Sequence, residues 1–116
     1  MSKTKTEESN IEELDLDVRF TRALREGGFD DFFMLDRETA REVLTEERLR
    51  LIDAIDEHED EIESKSDLAE VVGRDVSAVH RDLDILFENG LIRYEKVGNR
   101  RIPELAYEHI VVEPIR

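Results

Sequence analysis

Only three residues, Gly73-Arg74-Asp75, separate two segments whose apolar residues recur at helical spacing. The segments, about 65–72 and 76–89, are each predicted to form a helix with one apolar side. Gly73 is suited to end the first helix in a left-handed conformation, and Asp75 is suited to cap the second. A turn this short makes the first helix a brace for the second, the arrangement of a helix-turn-helix motif.

The elements on either side of this turn extend the pattern. Thr45 is predicted to cap a helix over 46–58, and Ser64 to cap the helix that begins at residue 65. After Gly90 the pattern changes to period two, and the pair Gly98-Asn99 joins two strand-like runs over 91–97 and 100–102 into a hairpin. The order helix, helix, turn, helix and hairpin is that of a winged helix-turn-helix. The residues expected to face inward are Leu49, Leu51, Ile52 and Ile55, then Leu68, Ala69, Val71 and Val72, then Val76, Val79, Leu83, Leu86 and Phe87.

The N-terminal part is predicted to form an extension of this unit. Leu14, Leu16, Val18 and Phe20 alternate with charged residues, which predicts a half-buried strand over 14–20. Phe32–Leu35 is a strand or an extended lead-in, and Asp36 can cap a helix over 37–44.

Two further short strands are expected. Ile62 is an isolated apolar residue in an acidic stretch and is expected to form a brief strand. Ile110–Val112 is expected to form a C-terminal strand. The natural partner of the C-terminal strand is the N-terminal one, in the same subunit or in a second copy. The predicted fold class is therefore α+β, with a tail over 1–10, an N-terminal extension over 11–44, a winged helix-turn-helix over 45–103 and a terminal strand within 104–116.

The charge balance restricts the function. The chain carries 31 acidic and 17 basic residues, a net charge of -14, which opposes long-range attraction to DNA, anionic membranes and acidic substrates. The basic residues are 13 Arg and 4 Lys, and the acids are spread along the whole chain, as expected of a protein that works in molar salt. Cysteine is absent, which excludes disulfides, thiol catalysis and cysteine-ligated zinc. No apolar run is long enough to span a bilayer, so a soluble cytoplasmic protein is expected.

One segment of the chain does not have more acidic than basic residues. Residues 74–102 carry six basic and five acidic residues, whereas 1–44, 45–73 and 103–116 are net -5, -8 and -2. A phosphate contact needs a local cation rather than a basic protein. The basic residues of this segment are Arg74, Arg81, Arg93, Lys96, Arg100 and Arg101.

The apolar stripe of the third helix predicts which residues meet DNA. The outward N-terminal half carries Ser77, Ala78 and Arg81, with Arg74 just before it. Arg81 can donate to guanine O6 and N7; the alternative is a surface arginine paired with Asp82 or Asp84.

Other candidate contacts come from neighbouring elements. His80 is a DNA contact or a residue that packs and hydrogen-bonds on the flank of the helix. Lys65 is a phosphate ligand or a solvated lysine. Asn99, Arg100 and Arg101 lie at the tip of the hairpin, as a phosphate-tracking wing or as a solvated run of charge.

Four stretches of the chain carry a resemblance to a known group: Leu44–Leu49, Leu68–Asp75, Val79–Leu83 and Asn89–Ile92. The sequence resembles small archaeal winged-helix DNA-binding proteins, which are loosely related to MarR- and ArsR-type regulators and are abundant in halophilic archaea. The resemblance covers about 44–103 and implies transcription regulation by a homodimer. Where that group often carries an aromatic residue, a lysine and an asparagine at the start of the third helix, this chain carries Val76–Ala78.

These patterns predict a DNA-binding transcriptional regulator whose partners are double-stranded DNA and a second copy. The alternative is a winged-helix module that binds a basic protein through its acidic helices. Enzyme activity is not expected, because His58, His80 and His109 are far apart and form no metal-binding motif. No cofactor, metal, membrane or small-molecule ligand is expected.

Overall fold

The computed structural model describes residues 16–114, and the tail expected over 1–10 lies outside them. Within this range the chain is an α+β protein with five helices and two two-stranded sheets. The helices are α1 (16–26), α2 (Arg37–Val43), α3 (Glu46–Glu57), α4 (Lys65–Val72) and α5 (Val76–Glu88), and the strands are β1 (Phe32–Leu35), β2 (Ile92–Val97), β3 (Arg100–Leu105) and β4 (His109–Val112).

Side-chain caps begin four of the helices. Asp36, Thr45, Ser64 and Asp75 each accept a hydrogen bond from a backbone N–H of the helical turn that follows. Such bonds satisfy N–H groups that have no partner within the helix. All four predicted caps are confirmed, and the helices they open begin where the sequence places them.

Gly73 ends α4 as predicted. Its φ is +69° in the left-handed region, and its N–H bonds back to the carbonyls of Ala69 and Glu70. Only three residues separate the end of α4 from the start of α5.

Replacing Gly73 by alanine is expected to lower the free energy of unfolding by about 1 kcal/mol, because a Cβ is strained at positive φ. Apart from the two adjacent residues, no atom of the described chain lies within 4 Å of the added Cβ, so the expected cost is backbone strain. Gly73→Asn is the matched control, since asparagine tolerates this conformation better. Urea denaturation of the two variants measures the difference, and equal stabilities would contradict the explanation.

The core lies between the last three helices, the hairpin and the β1–β4 sheet. Its most enclosed side chains are Leu51, Leu68, Val79, Leu83, Leu86 and Leu91. These residues fill the angle between α3, α4 and α5. That packing fixes which side of α5 remains exposed.

Four predicted inward-facing residues are exposed. Val76, at 44 %, lies in the first turn of α5, and Phe87, at 50 %, is rotated off the buried line of this helix. Leu49 and Val71 are also exposed, because the enclosed lines are Leu51–Ala54–Ile55 in α3 and Leu68–Ala69 in α4. An adjacent apolar residue lies about 100° around the helix, so only part of each apolar run can face the core.

The prediction of a brief strand at Ile62 is also wrong. Ile62 is buried in the turn between α3 and α4, and its N–H bonds to the carbonyl of His58. The isolated apolar residue closes the core from a turn and needs no strand partner.

The hairpin forms as predicted. β2 and β3 pair antiparallel, and Val97 lies opposite Arg100 across the two-residue turn Gly98-Asn99. Gly98 has φ +62° and Asn99 does not have a positive φ, as in a type II′ turn. The second strand continues past the predicted residue 102 to Leu105.

The predicted strand over 14–20 is wrong. Residues 16–26 are helical, and residues 14 and 15 lie outside the described range. Leu16, Phe20 and Leu24 recur every four residues, so the apolar residues of this segment fit a helix as well as an alternating strand. Helical spacing prevails because it extends over a longer stretch of the chain.

The C-terminal strand exists but has a different partner from the one predicted. β4 pairs in parallel with β1, so that Phe33 lies opposite Ile110 and Leu35 opposite Val112. Beyond the strands, Glu113 N–H donates to the carbonyl of Leu35 at 2.8 Å. The interpretation of Phe32–Leu35 as a strand is confirmed, and this sheet closes the fold on the side of α2.

Candidate nucleic-acid interface

The solvent face of α5 is set by its buried stripe. Val79, Leu83 and Leu86 point into the core, so Ser77 and Arg81 lie on the opposite, exposed side. Ala78 is half-buried at the edge of the same face. Two of the three residues predicted to face outward are therefore open to solvent.

Arg81 is an exposed cation without an ion-pair partner among residues 16–114. The alternative of a pair with Asp82 or Asp84 is not observed: Asp82 lies against Arg48 and Arg74, and Asp84 faces His80. A guanidinium without an internal partner keeps all of its donors for an external acceptor.

Arg74, in contrast, belongs to the internal structure. Its Nη1 lies 2.9 Å from Asp82 Oδ2 and its Nε lies 3.5 Å from Glu47 Oε2. The side chain is only 24 % exposed, and Nη1 is buried without an aligned hydrogen-bond acceptor. Arg74 therefore links the interhelical turn to α3 and α5 by charge.

Ser77 is occupied by the cap of α5. Both its backbone N–H and its hydroxyl donate to Asp75 Oδ2. These hydrogen bonds, with a smaller contribution from the charge of Arg81, hold the pKa of Asp75 below its usual range. Asp75 therefore stays ionised beside the N-terminus of α5, where its charge suits the helix dipole.

Lys65 and His80 contact each other. Lys65 Nζ lies 2.8 Å from His80 Nδ1, and His80 Nε2 lies 3.4 Å from Asp84 Oδ2. An ammonium can only donate, so Nδ1 accepts and the ring proton lies on Nε2, toward Asp84. Of the two roles considered for His80, the hydrogen-bonding one is present.

Tyr94 is the second side chain, after His80, that contacts Lys65. Lys65 Nζ lies 5.1 Å from the centre of the Tyr94 ring, which itself rests against Phe87 of α5 at 5.2 Å. The hydroxyl of Tyr94 is buried without a hydrogen-bond partner in the described part of the chain. Burial, followed by the charge of Asp84, raises the pKa of Tyr94, and Arg101 opposes this shift.

The hairpin tip carries the remaining predicted residues. Asn99 is exposed in the turn, and Arg100 Nη1 lies 3.2 Å from Glu63 Oε2. Both partners of this ion pair are more than half exposed, so it holds Arg100 weakly. Arg101 is exposed and, within 16–114, makes no ion pair.

Arg93 and Lys96 are the two basic residues of the 74–102 segment for which no DNA contact was predicted, and Lys96 is the one that joins the other cations. It lies directly opposite Arg101 across the hairpin. A two-residue turn at Gly98-Asn99 pairs residue 97 with 100 and residue 96 with 101. The position of Lys96 opposite Arg101 could therefore be predicted from the sequence. The structure adds the orientation of this pair.

The orientation follows from strand periodicity. Residues two apart share a face, so Lys96 and Arg101 lie on the same side of the hairpin as Tyr94 and Pro103. Because Tyr94 contacts Phe87, this side faces α5. Three cations lie on the side of Tyr94, namely Lys65, Lys96 and Arg101, and Arg81 is exposed on α5. These four cations are here called the basic surface.

Other kinds of site are not found in the described residues. Between 16 and 114 no group of three or more His, Cys, Asp or Glu side chains is arranged to hold a metal ion. None of the helices in that range combines the length and apolar character needed to cross a membrane.

Comparison with known proteins places the chain in a family. No curated protein matches it. The family model HVO_A0114 matches residues 43–112, which include α3, α4, α5 and all of the hairpin. This match covers more than half of the chain and contains the whole basic surface. The chain belongs to the HVO_A0114 family.

Proposed function

We propose that the protein is a winged helix-turn-helix transcriptional regulator that binds double-stranded DNA. In this proposal α3, α4 and α5 form the three-helix unit, α5 is the recognition helix and the β2–β3 hairpin is the wing. The role is one of binding, without catalysis or a cofactor.

The observation that carries the proposal is the pair Lys96 and Arg101. Like charges directly opposite each other on a hairpin are destabilising. Neither cation has an ion-pair partner within 16–114, in a chain with 31 acidic residues. A phosphate placed near the pair would offset the repulsion, since backbone phosphates attract clustered cations whatever the net charge of the protein.

The position of Arg81 supports the same role. It lies in the N-terminal half of α5, on the side opposite Val79 and Leu83. In helix-turn-helix proteins this half of the second helix contacts base edges in the major groove. A free guanidinium there has the geometry to donate twice to guanine.

The start of α5 limits the specificity we expect. Val76 is exposed and apolar, the Ser77 hydroxyl donates to Asp75, and Ala78 has no polar group. Arg81 therefore carries most of the base recognition that we propose for α5.

We propose that the protein acts as a homodimer. One recognition helix contacts few base pairs, so useful affinity needs two half-sites about one helical turn apart. Subunit pairing through a strand over 14–20 was expected. Residues 16–20 are helical, so they cannot form that strand.

The Lys96→Ala/Arg101→Ala double variant tests the function. It is expected to bind duplex DNA more weakly and to lower the slope of log affinity against log salt by about two, since each phosphate contact contributes about 0.9. Fluorescence anisotropy of a labelled duplex over a series of KCl concentrations measures both quantities.

Arg93→Ala is the matched control. Arg93 lies on the same hairpin but on the opposite face, where it pairs with Glu104, so its removal should leave the slope unchanged. Equal slopes for the double variant and the wild type would contradict DNA binding through the wing. Absence of DNA binding in the wild type would favour the alternative of a protein-interaction module.

A further inference from the structure

We infer that His80 positions Lys65 and makes its contact with DNA phosphate depend on a proton. This inference rests on the proposed DNA binding and adds a form of regulation to it. It predicts that DNA binding tightens as the pH falls, because the protonated ring releases Lys65 toward phosphate.

The neutral ring holds Lys65 against the protein. Nδ1 accepts from Lys65 Nζ at 2.8 Å, and the ammonium lies over the Tyr94 ring at the same time. Both contacts draw the cation toward the junction of α4, α5 and β2. In this state part of the donor capacity of Lys65 is used inside the protein.

Protonation removes the acceptor. A charged imidazole carries N–H on both nitrogens, so Nδ1 can no longer accept from an ammonium. Two positive groups 2.8 Å apart also repel each other. Lys65 then turns toward solvent, the side on which we place the phosphates.

The other nitrogen favours this change. Nε2 lies 3.4 Å from Asp84 Oδ2, and the carboxylate stabilises the charged ring. The same pairing offsets the charge of Asp84 on α5. Lys65 on α4, Asp84 on α5, the Tyr94 ring on β2 and Arg101 on β3, near Tyr94, are the groups that face this site.

DNA affinity measured against pH and salt tests the inference. Between about pH 8 and pH 5.5 the salt slope of the wild type is expected to rise by about one, as one more cation meets phosphate. His80→Gln keeps an acceptor for Lys65 and a donor for Asp84 but does not titrate. Its salt slope should therefore stay constant between about pH 8 and pH 5.5.

His58→Gln is the control for histidine titration in general. His58 lies at the end of α3 beside Glu61, and its replacement should preserve the pH response of the wild type. A His80→Gln variant with the wild-type response would overturn the role of His80 while leaving DNA binding intact. No DNA binding by the wild type at any pH would overturn the proposed function as well.

A readout without DNA tests the geometry itself. The ¹⁵N chemical shifts of the His80 ring distinguish a protonated Nε2 from a protonated Nδ1. At high pH the Nε2–H form is expected in the wild type, with a shift at Nδ1 on Lys65→Ala. An Nδ1–H form would overturn the inference directly.

Discussion

Replacement of Arg81 by alanine is expected to cost about 1–3 kcal/mol of binding free energy on a preferred DNA site and to blur the preference at one base pair. The physical reason is positional. Arg81 projects from the solvent face of α5 and has no ion pair among residues 16–114, so its guanidinium is available to a base edge. Anisotropy titrations on a site selected from random duplexes, and on its single-base variants, measure the change.

Arg100→Ala is the contrasting variant. Arg100 lies beside the hairpin turn, so its loss should weaken binding to all sequences alike and flatten the salt slope by up to about one. Because Arg100 already pairs with Glu63 in the free protein, we expect the decrease in the salt slope to be smaller than one. If both variants lost the same binding free energy on every DNA sequence, α5 would contact the DNA backbone rather than base edges. No loss for either would favour the protein-interaction alternative.

Asp82→Ala is expected to lower the free energy of unfolding by about 2–3 kcal/mol, because it leaves the partly buried Arg48 without its carboxylate and Arg74 with Glu47 alone. Arg48 Nε lies 3.2 Å from Asp82 Oδ1, and Arg74 Nη1 lies 2.9 Å from Oδ2. The Asp82 and Arg48 side chains are each only 15 % exposed. This network connects α3, the interhelical turn and α5, so its loss loosens the position of the recognition helix that we propose.

Urea denaturation in high salt measures this effect. Partly buried pairs are screened less than exposed ones, so most of the loss should persist there. Glu88→Gln is the control, because Glu88 is exposed on the same helix and its replacement should change stability by less than about 0.5 kcal/mol. A similarly small effect for Asp82→Ala would show that the network contributes nothing measurable.

Arg74 and Arg81 show why the sequence alone could not assign the candidate site. Both are arginines near the start of the third helix, and both qualify as phosphate or base contacts. Their difference depends on Asp82, which faces α3 and pairs with Arg74. Ion pairs of this kind depend on which helix faces cross in space, a property of the packed fold.

Short-range chemistry made much of the fold predictable. A cap such as Asp75, a left-handed glycine such as Gly73 and a turn such as Gly98-Asn99 involve groups within about four residues of one another, so their residue types suffice. The hairpin turn even specifies its own register, and with it the pair Lys96 and Arg101.

Long-range pairing was decided only in the tertiary structure. Residues 16–20 fit two periodicities, and their helical state depends on contacts and chain continuation that a seven-residue window does not contain. The partner of β4 is β1, whose pairing spans most of the chain, because only the folded core brings Leu35 and Val112 side by side. Local hydrogen bonds are specified by neighbouring residues, whereas sheet pairing and ion pairs across the core are specified by the packing of distant ones.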